Sequence, residues 1–275
     1  MARRQRLDAE LVRRGLARSR QQAAELIAAG RVTVTGGTAS KSATQVETSD
    51  AIVVTGAKDG PDYVSRGAHK LIGALDAFRA VRVQGRRCLD VGASTGGFTD
   101  VLLRRGAAQV LAVDVGYGQL AWSLSTDPRV QVMDRTNVRT LHPQDVAPAP
   151  DLVVSDLSFI SLRLVLASLV ACCSADADFL LMVKPQFEVG RERLGSGGVV
   201  RDPGLRAEAV VSVAEAARTV GLAVHGVQAS PLPGPSGNVE YFLWLRPGLV
   251  GAPDPGTVKA LVATAVAQGP TGAGA

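Results

Sequence analysis

Three cysteines in 275 residues give no disulfide framework, and two of them, Cys172 and Cys173, are neighbours on an apolar run. That usage points to a reducing compartment. His69, His142 and His225 are scattered, and no cysteine stands at zinc-ligand spacing to them, so no metal site is expected. Long hydrophobic runs are also missing. The longest, from Leu164 to Cys173, is too short to span a bilayer and follows Arg163. The amino terminus is basic but lacks the apolar stretch of a signal peptide. These absences lead to the expectation of a soluble, cytoplasmic protein without a membrane span.

What is present centres on Arg86 to Phe98. Cys88, Leu89 and Val91 read as a buried strand that breaks into a loop with glycines at 92, 96 and 97. A helix follows from Thr99 to Arg105, closed by Gly106. Strand, glycine loop and helix start form the nucleotide-binding corner of a doubly wound α/β sheet. A dinucleotide fingerprint requires a middle glycine where Ser94 stands, and Asp90 at the loop entrance would repel a pyrophosphate. The same carboxylate suits a cation such as the ammonium of S-adenosylmethionine. Asp114 ends the next apolar run, where a carboxylate can take ribose hydroxyls. The expected cofactor set is therefore Asp90, Gly92, Ala93, Ser94, Thr95, Gly96, Phe98 and Asp114. Asp134 and Asn137 are the candidates for the adenine edge.

The net charge of +5 is unevenly spread. Residues 1–31 carry Arg3, Arg4, Arg6, Arg13, Arg14, Arg18, Arg20 and Arg31 against Asp8, Glu10 and Glu25. Arginine clusters favour phosphate partners. Leu7, Leu11 and Val12 share one helical face, and Ser19 caps a second helix with Ala23, Leu26 and Ile27 inward. Val32 and Val34 begin a short strand, and another runs from Ala51 to Val54. This ααβ unit, with Arg6-Leu7-Asp8, Gly15-Leu16-Ala17, Ser19-Arg20 and Gly30, resembles the S4-type (alpha-L) RNA-binding module. The resemblance implies an RNA-facing side with Arg4, Arg6, Arg18, Arg20 and Lys41, joined by Arg66. Such a side reads phosphates and RNA shape.

The expected organisation is an RNA-binding domain over 1–58, a linker over 59–66, a larger α/β domain over 67–247 and a flexible tail over 248–275. In the tail, at most one weak helix is expected, at 258–267. Strand signals recur at 109–114, 129–133, 151–156 and 178–184, with helices at 162–173 and from Pro203 to Gly221. Two last strands, 222–229 and 239–245, flank a short turn, so one of them runs antiparallel.

In open α/β sheets, ligands sit outside the carboxyl ends of the strands. Asp156 and Lys184 lie there, and Glu240 begins an antiparallel strand at the same edge. Lys70 can join them from the helix before the first strand. These four are the expected catalytic residues. Their contexts are Ser65-Arg66-Gly67-Ala68-His69-Lys70, Ser155-Asp156-Leu157-Ser158-Phe159, Val183-Lys184-Pro185-Gln186-Phe187-Glu188 and Gly237-Asn238-Val239-Glu240-Tyr241. A Lys-Asp-Lys-Glu tetrad in this order is similar to that of FtsJ/RrmJ-like ribose 2′-O-methyltransferases. With the amino-terminal module, the chain resembles the TlyA family over residues 3 to 247. That resemblance implies a seven-stranded, Rossmann-like class I methyltransferase domain behind a small α+β RNA-binding domain. It implies transfer of methyl from S-adenosylmethionine to cytidine 2′-hydroxyls of 16S and 23S ribosomal RNA within ribosomal subunits. Sensitivity to capreomycin-like antibiotics and an older description as a haemolysin also come with the family.

Lys184 is expected to contact the 2′-oxygen, as base or as orienter. Where amine methylation uses Asp/Asn-Pro-Pro-aromatic, this chain reads Asp156-Leu157-Ser158-Phe159. Cytosine carbon-5 methylation needs a cysteine nucleophile, and Cys88, Cys172 and Cys173 are badly placed for that. Residues 187–202, with Arg191, Arg193 and Arg201, read as a flap over RNA or a solvated loop. The rival readings are a non-catalytic ribosome-assembly factor and a membrane-active haemolysin. A monomer is expected.

Overall fold

The computed structural model describes residues 4–17, 19–55, 63–234 and 236–270. The chain divides into two compact units, Met1–Asp62 and Tyr63–Ala275.

In the first unit, β1 (Gln5–Arg6) leads into α1 (Leu7–Arg13), and α2 (Arg20–Ala28) follows. The Ser19 hydroxyl caps α2 by accepting from the Gln22 N–H. The strands are β2 (Val32–Val34), β3 (Gly37–Thr38), β4 (Gln45–Val46) and β5 (Ile52–Val54). β2 stands between β3 and β5 in an antiparallel sheet, and β1 pairs with β4. Leu7, Leu11, Ala23 and Ile27 close on Val32, Val46 and Ile52 as one small core, as the helical spacing predicts. Glu10 is fully buried and accepts from Arg13 and from Arg14, whose guanidinium also donates to the carbonyls of Thr48 and Asp50. Arg14 is thus an internal brace, while Arg13 is half exposed. The Arg13 contact, working against burial, holds the Glu10 carboxyl at about 2.

The second unit is built on one seven-stranded sheet. Its elements in chain order are α3 (Ala68–Ala77), β6 (Arg87–Val91), α4 (Gly97–Arg104), β7 (Gln109–Val113), α5 (Trp122–Ser125) and β8 (Val130–Met133). They continue with β9 (Leu152–Ser155), α6 (Leu166–Cys172), β10 (Asp178–Val183), α7 (Pro203–Thr219), β11 (Leu222–Ala229), β12 (Tyr241–Pro247) and α8 (Pro255–Gln268). The spatial order is β8-β7-β6-β9-β10-β12-β11, and β12 pairs antiparallel with both neighbours. The direction of winding reverses between β6 and β9. Side chains alternate across the strands. Cys88, Val110, Val154 and Met182 face α3, α4 and α5. Leu89, Leu111, Val153, Leu181 and Leu243 face α6, α7 and α8.

Three expectations need correction. Residues 63–66, assigned to the linker, fold with the second unit: the Val64 N–H donates to Asp100 at 2.9 Å, and the Arg104 guanidinium lies 4.4 Å over the Tyr63 ring. Residues 56–62 lie outside the described residues. The predicted helix 162–173 is a 3₁₀ turn, Leu162–Leu164, followed by the shorter α6. Glu188 takes the Leu162 N–H at 2.8 Å and so fixes a separate helix start there. The tail is not flexible throughout, because α8 packs on α7 and β11 and buries Val262 and Ala265 in the main core. Asp254 caps α8 by accepting from Gly256 and Thr257, with Pro255 at its first position.

Val262→Asp should destabilise the second unit by at least about 2 kcal/mol, because it buries an unpaired carboxylate. Urea unfolding followed by tryptophan fluorescence measures it, and a wild-type midpoint would show that α8 does not dock.

Candidate active site

Strand register assembles the site. Val91 lies opposite Ser155, so Gly92 and Asp156, one residue on, emerge side by side where the winding reverses. Val183 lies opposite Tyr241, so Lys184 leaves β10 next to Glu240, which precedes β12. Gly92 has φ +85°, and a Cβ there would come within 2.9 Å of the Asp156 carbonyl oxygen. No other residue fits between these two loops without moving one of them. α3 brings Lys70 to the same edge. A Cβ on Gly73 would meet the Pro231 ring at 2.7 Å, so that glycine allows α3 to approach the turn before Glu240.

The four predicted side chains meet. The Lys70 ammonium donates to Glu240 Oε2 at 2.6 Å and stands 4.0 Å from Asp156 Oδ2. Lys184 Nζ lies 2.6 Å from Asp156 Oδ1 and donates to the Ser158 hydroxyl at 2.8 Å. Lys70, Lys184 and Glu240 are buried, and only Asp156 is part-exposed. Two cations and two anions in alternation make the cluster tolerable in a low-dielectric setting. Removing one partner would leave an uncompensated buried charge, at a cost of about 3–5 kcal/mol.

Four further residues shape the site and were not assigned a role from sequence. Ser158 gives Lys184 its second partner. Phe159 is almost fully exposed, with φ +64°, and its ring rests 5.2 Å from that of Phe187. Such a conformation in a bulky residue is strained. Glu188, buried after Lys184, accepts from Ser161 Oγ at 2.5 Å and from the Leu162 N–H, which locks the Asp156 loop to the Lys184 loop. Burial pushes its carboxyl above the ordinary range. Asn238 accepts from the Val200 N–H and donates to the Gly198 carbonyl, so the predicted flap is tied to the segment that carries Glu240. The one available signal for these four was their place beside tetrad residues in the quoted motifs.

The glycine loop lies along the same edge. The Ser94 and Gly116 N–H groups donate to the two Asp114 oxygens at 2.8 and 2.7 Å. The Gly118 N–H donates to Asp134 at 2.9 Å, and the Arg135 guanidinium covers the Tyr117 ring. Asp114 and Asp134 therefore stand on neighbouring loops with acceptor capacity left over. Ala93 and Gly96 are buried in the loop, while Ser94 and Thr95 are exposed.

Three cofactor expectations change in detail. Asp90 is fully buried, not open at the loop entrance, because its strand position turns it inward toward Thr99, whose hydroxyl donates to it at 2.6 Å. The Phe98 ring packs in the core 6.0 Å from Phe242, so only its backbone is left to serve a ligand. The Asn137 side chain caps the turn Val138–Thr140 by accepting from the Arg139 N–H.

Of the RNA-facing set, Arg4, Arg6, Arg20 and Lys41 are exposed. Arg66 donates to the Pro233 carbonyl at 3.4 Å. Arg18 lies outside the described residues.

A Rossmann-like sheet with an antiparallel β12, a glycine loop at the winding reversal and a Lys-Asp-Lys-Glu cluster beside it define a class I methyltransferase. Residues 63–247 match the FtsJ-like methyltransferase family and residues 5–52 match the S4 domain. The chain belongs to the FtsJ-like methyltransferase family, in the TlyA branch that carries an S4 domain in front. It is 61% identical to the 16S/23S rRNA (cytidine-2′-O)-methyltransferase TlyA of Mycobacterium tuberculosis, over 98% of this chain and 100% of that protein. It is 35% identical to Hemolysin A of Brachyspira hyodysenteriae, over 86% of this chain and 98% of that one. A solved candidate hemolysin from Streptococcus thermophilus superposes with a TM-score of 0.74 at 36% identity, covering 96% of both chains.

Family membership implies S-adenosylmethionine as methyl donor, and the residues fit it. Asp90 Oδ1 is buried with no hydrogen-bond partner. Burial raises the Asp90 carboxyl to about 7. A buried carboxylate oxygen without a donor at the foot of the glycine loop suits a cationic ligand. A raised folded-state value means that the neutral form prevails below about 7 and that the ligand-free protein loses stability as pH rises through that point. A cationic ligand favours the ionised form, so S-adenosylmethionine affinity measured by calorimetry should rise several-fold from about pH 6 to about pH 7.5. Asp90→Asn should flatten that dependence; an equal slope in the variant would remove Asp90 from cofactor binding.

Proposed function

We propose that this protein transfers methyl from S-adenosylmethionine to the ribose 2′-hydroxyl of cytidines in 16S and 23S ribosomal RNA, with ribosomal subunits in the cytoplasm as its substrates. The observation that carries this reading is the charge-balanced cluster Lys70, Asp156, Lys184 and Glu240 beside the glycine loop. It supplies groups that hold and move a proton, as an alcohol acceptor requires, and no cysteine stands among them.

Bound in the loop, S-adenosylmethionine supplies an already activated methyl on a sulfonium. The chain's own residues must align a poorly acidic hydroxyl and draw off its proton. Lys184 Nζ, tied to Asp156 and Ser158, is assigned to the 2′-oxygen. Asp156 fixes the direction of that nitrogen and lies next to Gly92 of the glycine loop. Lys70 and Glu240 hold each other and bring positive charge to the second Asp156 oxygen. The exposed Phe159 ring, braced by Phe187, offers a stacking face for an unpaired base beside Lys184. The S4 domain adds phosphate contacts through its arginines. No helix among the described residues is long and apolar enough to cross a membrane.

Lys184→Ala should lower methyl transfer to ribosomal subunits by at least about a hundredfold. S-adenosylmethionine binding should stay within about twofold, because the variant leaves the glycine loop in place. Tritiated methyl incorporation and calorimetry measure the two, and wild-type turnover in the variant would refute the assignment.

A further inference from the structure

The first unit places its buried acids under its arginines in two different ways. Glu10 is closed off by Arg14, which is largely buried and also caps loop carbonyls, while its other arginine partner, Arg13, is half exposed. Asp8 differs. Its carboxylate is buried, yet the two guanidiniums it holds are exposed. Arg6 grips it with Nε at 3.0 Å and Nη2 at 2.9 Å, and Arg20 shares the same Oδ2 with Nη2 at 3.0 Å and Nε at 3.3 Å. Among the described residues, Asp8 is the only side-chain partner of either arginine. Each guanidinium uses its Nε–H and one Nη–H on Asp8 and keeps its other N–H groups for a further acceptor.

We propose that Asp8 is a positioning residue for RNA: it locks Arg6 and Arg20 side by side so that their free N–H edges form one preset clamp for backbone phosphate. This rests on the reading of the first unit as the RNA-binding domain and adds to it a residue of the opposite charge. Three observations support a clamp over simple neutralisation. The carboxylate is anchored: it lies at the start of α1, where Oδ1 accepts the Ala9 N–H at 2.9 Å. The contact with Arg6 holds its carboxyl at about 2, with Arg20 adding to the effect, so the anion persists at every working pH. And the two arginines come from separate elements, Arg6 from β1 and Arg20 from the start of α2, so that without Asp8 each long side chain would have to be ordered by the RNA itself.

The two views of Asp8 predict opposite signs. If it merely cancels charge, Asp8→Asn brings the protein nearer to RNA in electrostatic terms and tightens binding. If it builds a clamp, Asp8→Asn weakens binding although the variant is more positive. We expect the full-length Asp8→Asn protein to bind ribosomal subunits about tenfold more weakly in filter binding. KM for subunits should rise while kcat and S-adenosylmethionine affinity stay unchanged. In an Arg20→Ala background the same substitution should have a much smaller effect, because the clamp is already broken. Equal or tighter binding by Asp8→Asn overturns the proposal.

Arg20→Ala alone separates the two layers of inference. If Arg20→Ala leaves affinity unchanged, the RNA reading of this face fails; if it weakens binding while Asp8→Asn does not, only the clamp fails. Should Asp8→Asn lower the thermal midpoint of the first unit, Asp8→Glu decides. It keeps the charge but moves the carboxylate outward by a methylene, and we expect it to bind several-fold more weakly. Wild-type affinity in Asp8→Glu overturns the clamp as well.

Discussion

Two ammonium groups and two carboxylates, largely sealed from water at one edge of a sheet, constrain most of the second unit. None of the four is stable there alone. A buried charge without a partner costs several kcal/mol, so each side chain requires the others to arrive from its own element. α3 must come close enough for Lys70 to reach Glu240, hence Gly73 against Pro231. The loop after β9 must lie against the loop after β6, hence Gly92 against Asp156. The loop after β10 must be fixed to the loop after β9, which the buried Glu188 does through Ser161 and Leu162. The same close packing leaves the glycine loop and the charge cluster side by side, which is what methyl transfer to an alcohol needs.

The two units apply one physical device to different ends. In the second, buried acids hold lysines inward, next to the reacting atoms. In the first, a buried acid holds arginines outward, toward solvent. In both cases a carboxylate inside the fold fixes the geometry of a cation that does the external work. The chain's small positive net charge therefore understates how its arginines are arranged. Arg14 is an internal brace, while Arg6 and Arg20 are presented.

Much of this was legible in the sequence, and the reasons are specific. Strand signals at α/β spacing, read with the rule that ligands sit at carboxyl ends, were enough to bring Asp156, Lys184 and Glu240 to one edge. The antiparallel β12 followed from the shortness of the turn before it. Other features were hidden because they depend on which way a side chain turns. Asp90 was read as standing open at the loop entrance, but its pleat position buries it, with one oxygen on Thr99 and the other without a donor. Phe98, next to a glycine loop, joins the core instead. α8 was expected only as one weak helix over 258–267 because its run of Ala, Val and Thr has little helical contrast, although Asp254-Pro255 carried a helix-start signal. Ser158, Phe159, Glu188 and Asn238 act through contacts between loops distant in sequence, and no local periodicity encodes such contacts.

The most direct test of the central claim, that this charge cluster serves a ribose alcohol, is nucleoside mass spectrometry of ribosomal RNA. The RNA would be taken from subunits incubated with the purified protein and methyl-labelled S-adenosylmethionine. The account predicts label in 2′-O-methylcytidine. Label on a base, as 5-methylcytidine or an N-methylated nucleoside, would contradict it, as would active subunits that take up no label.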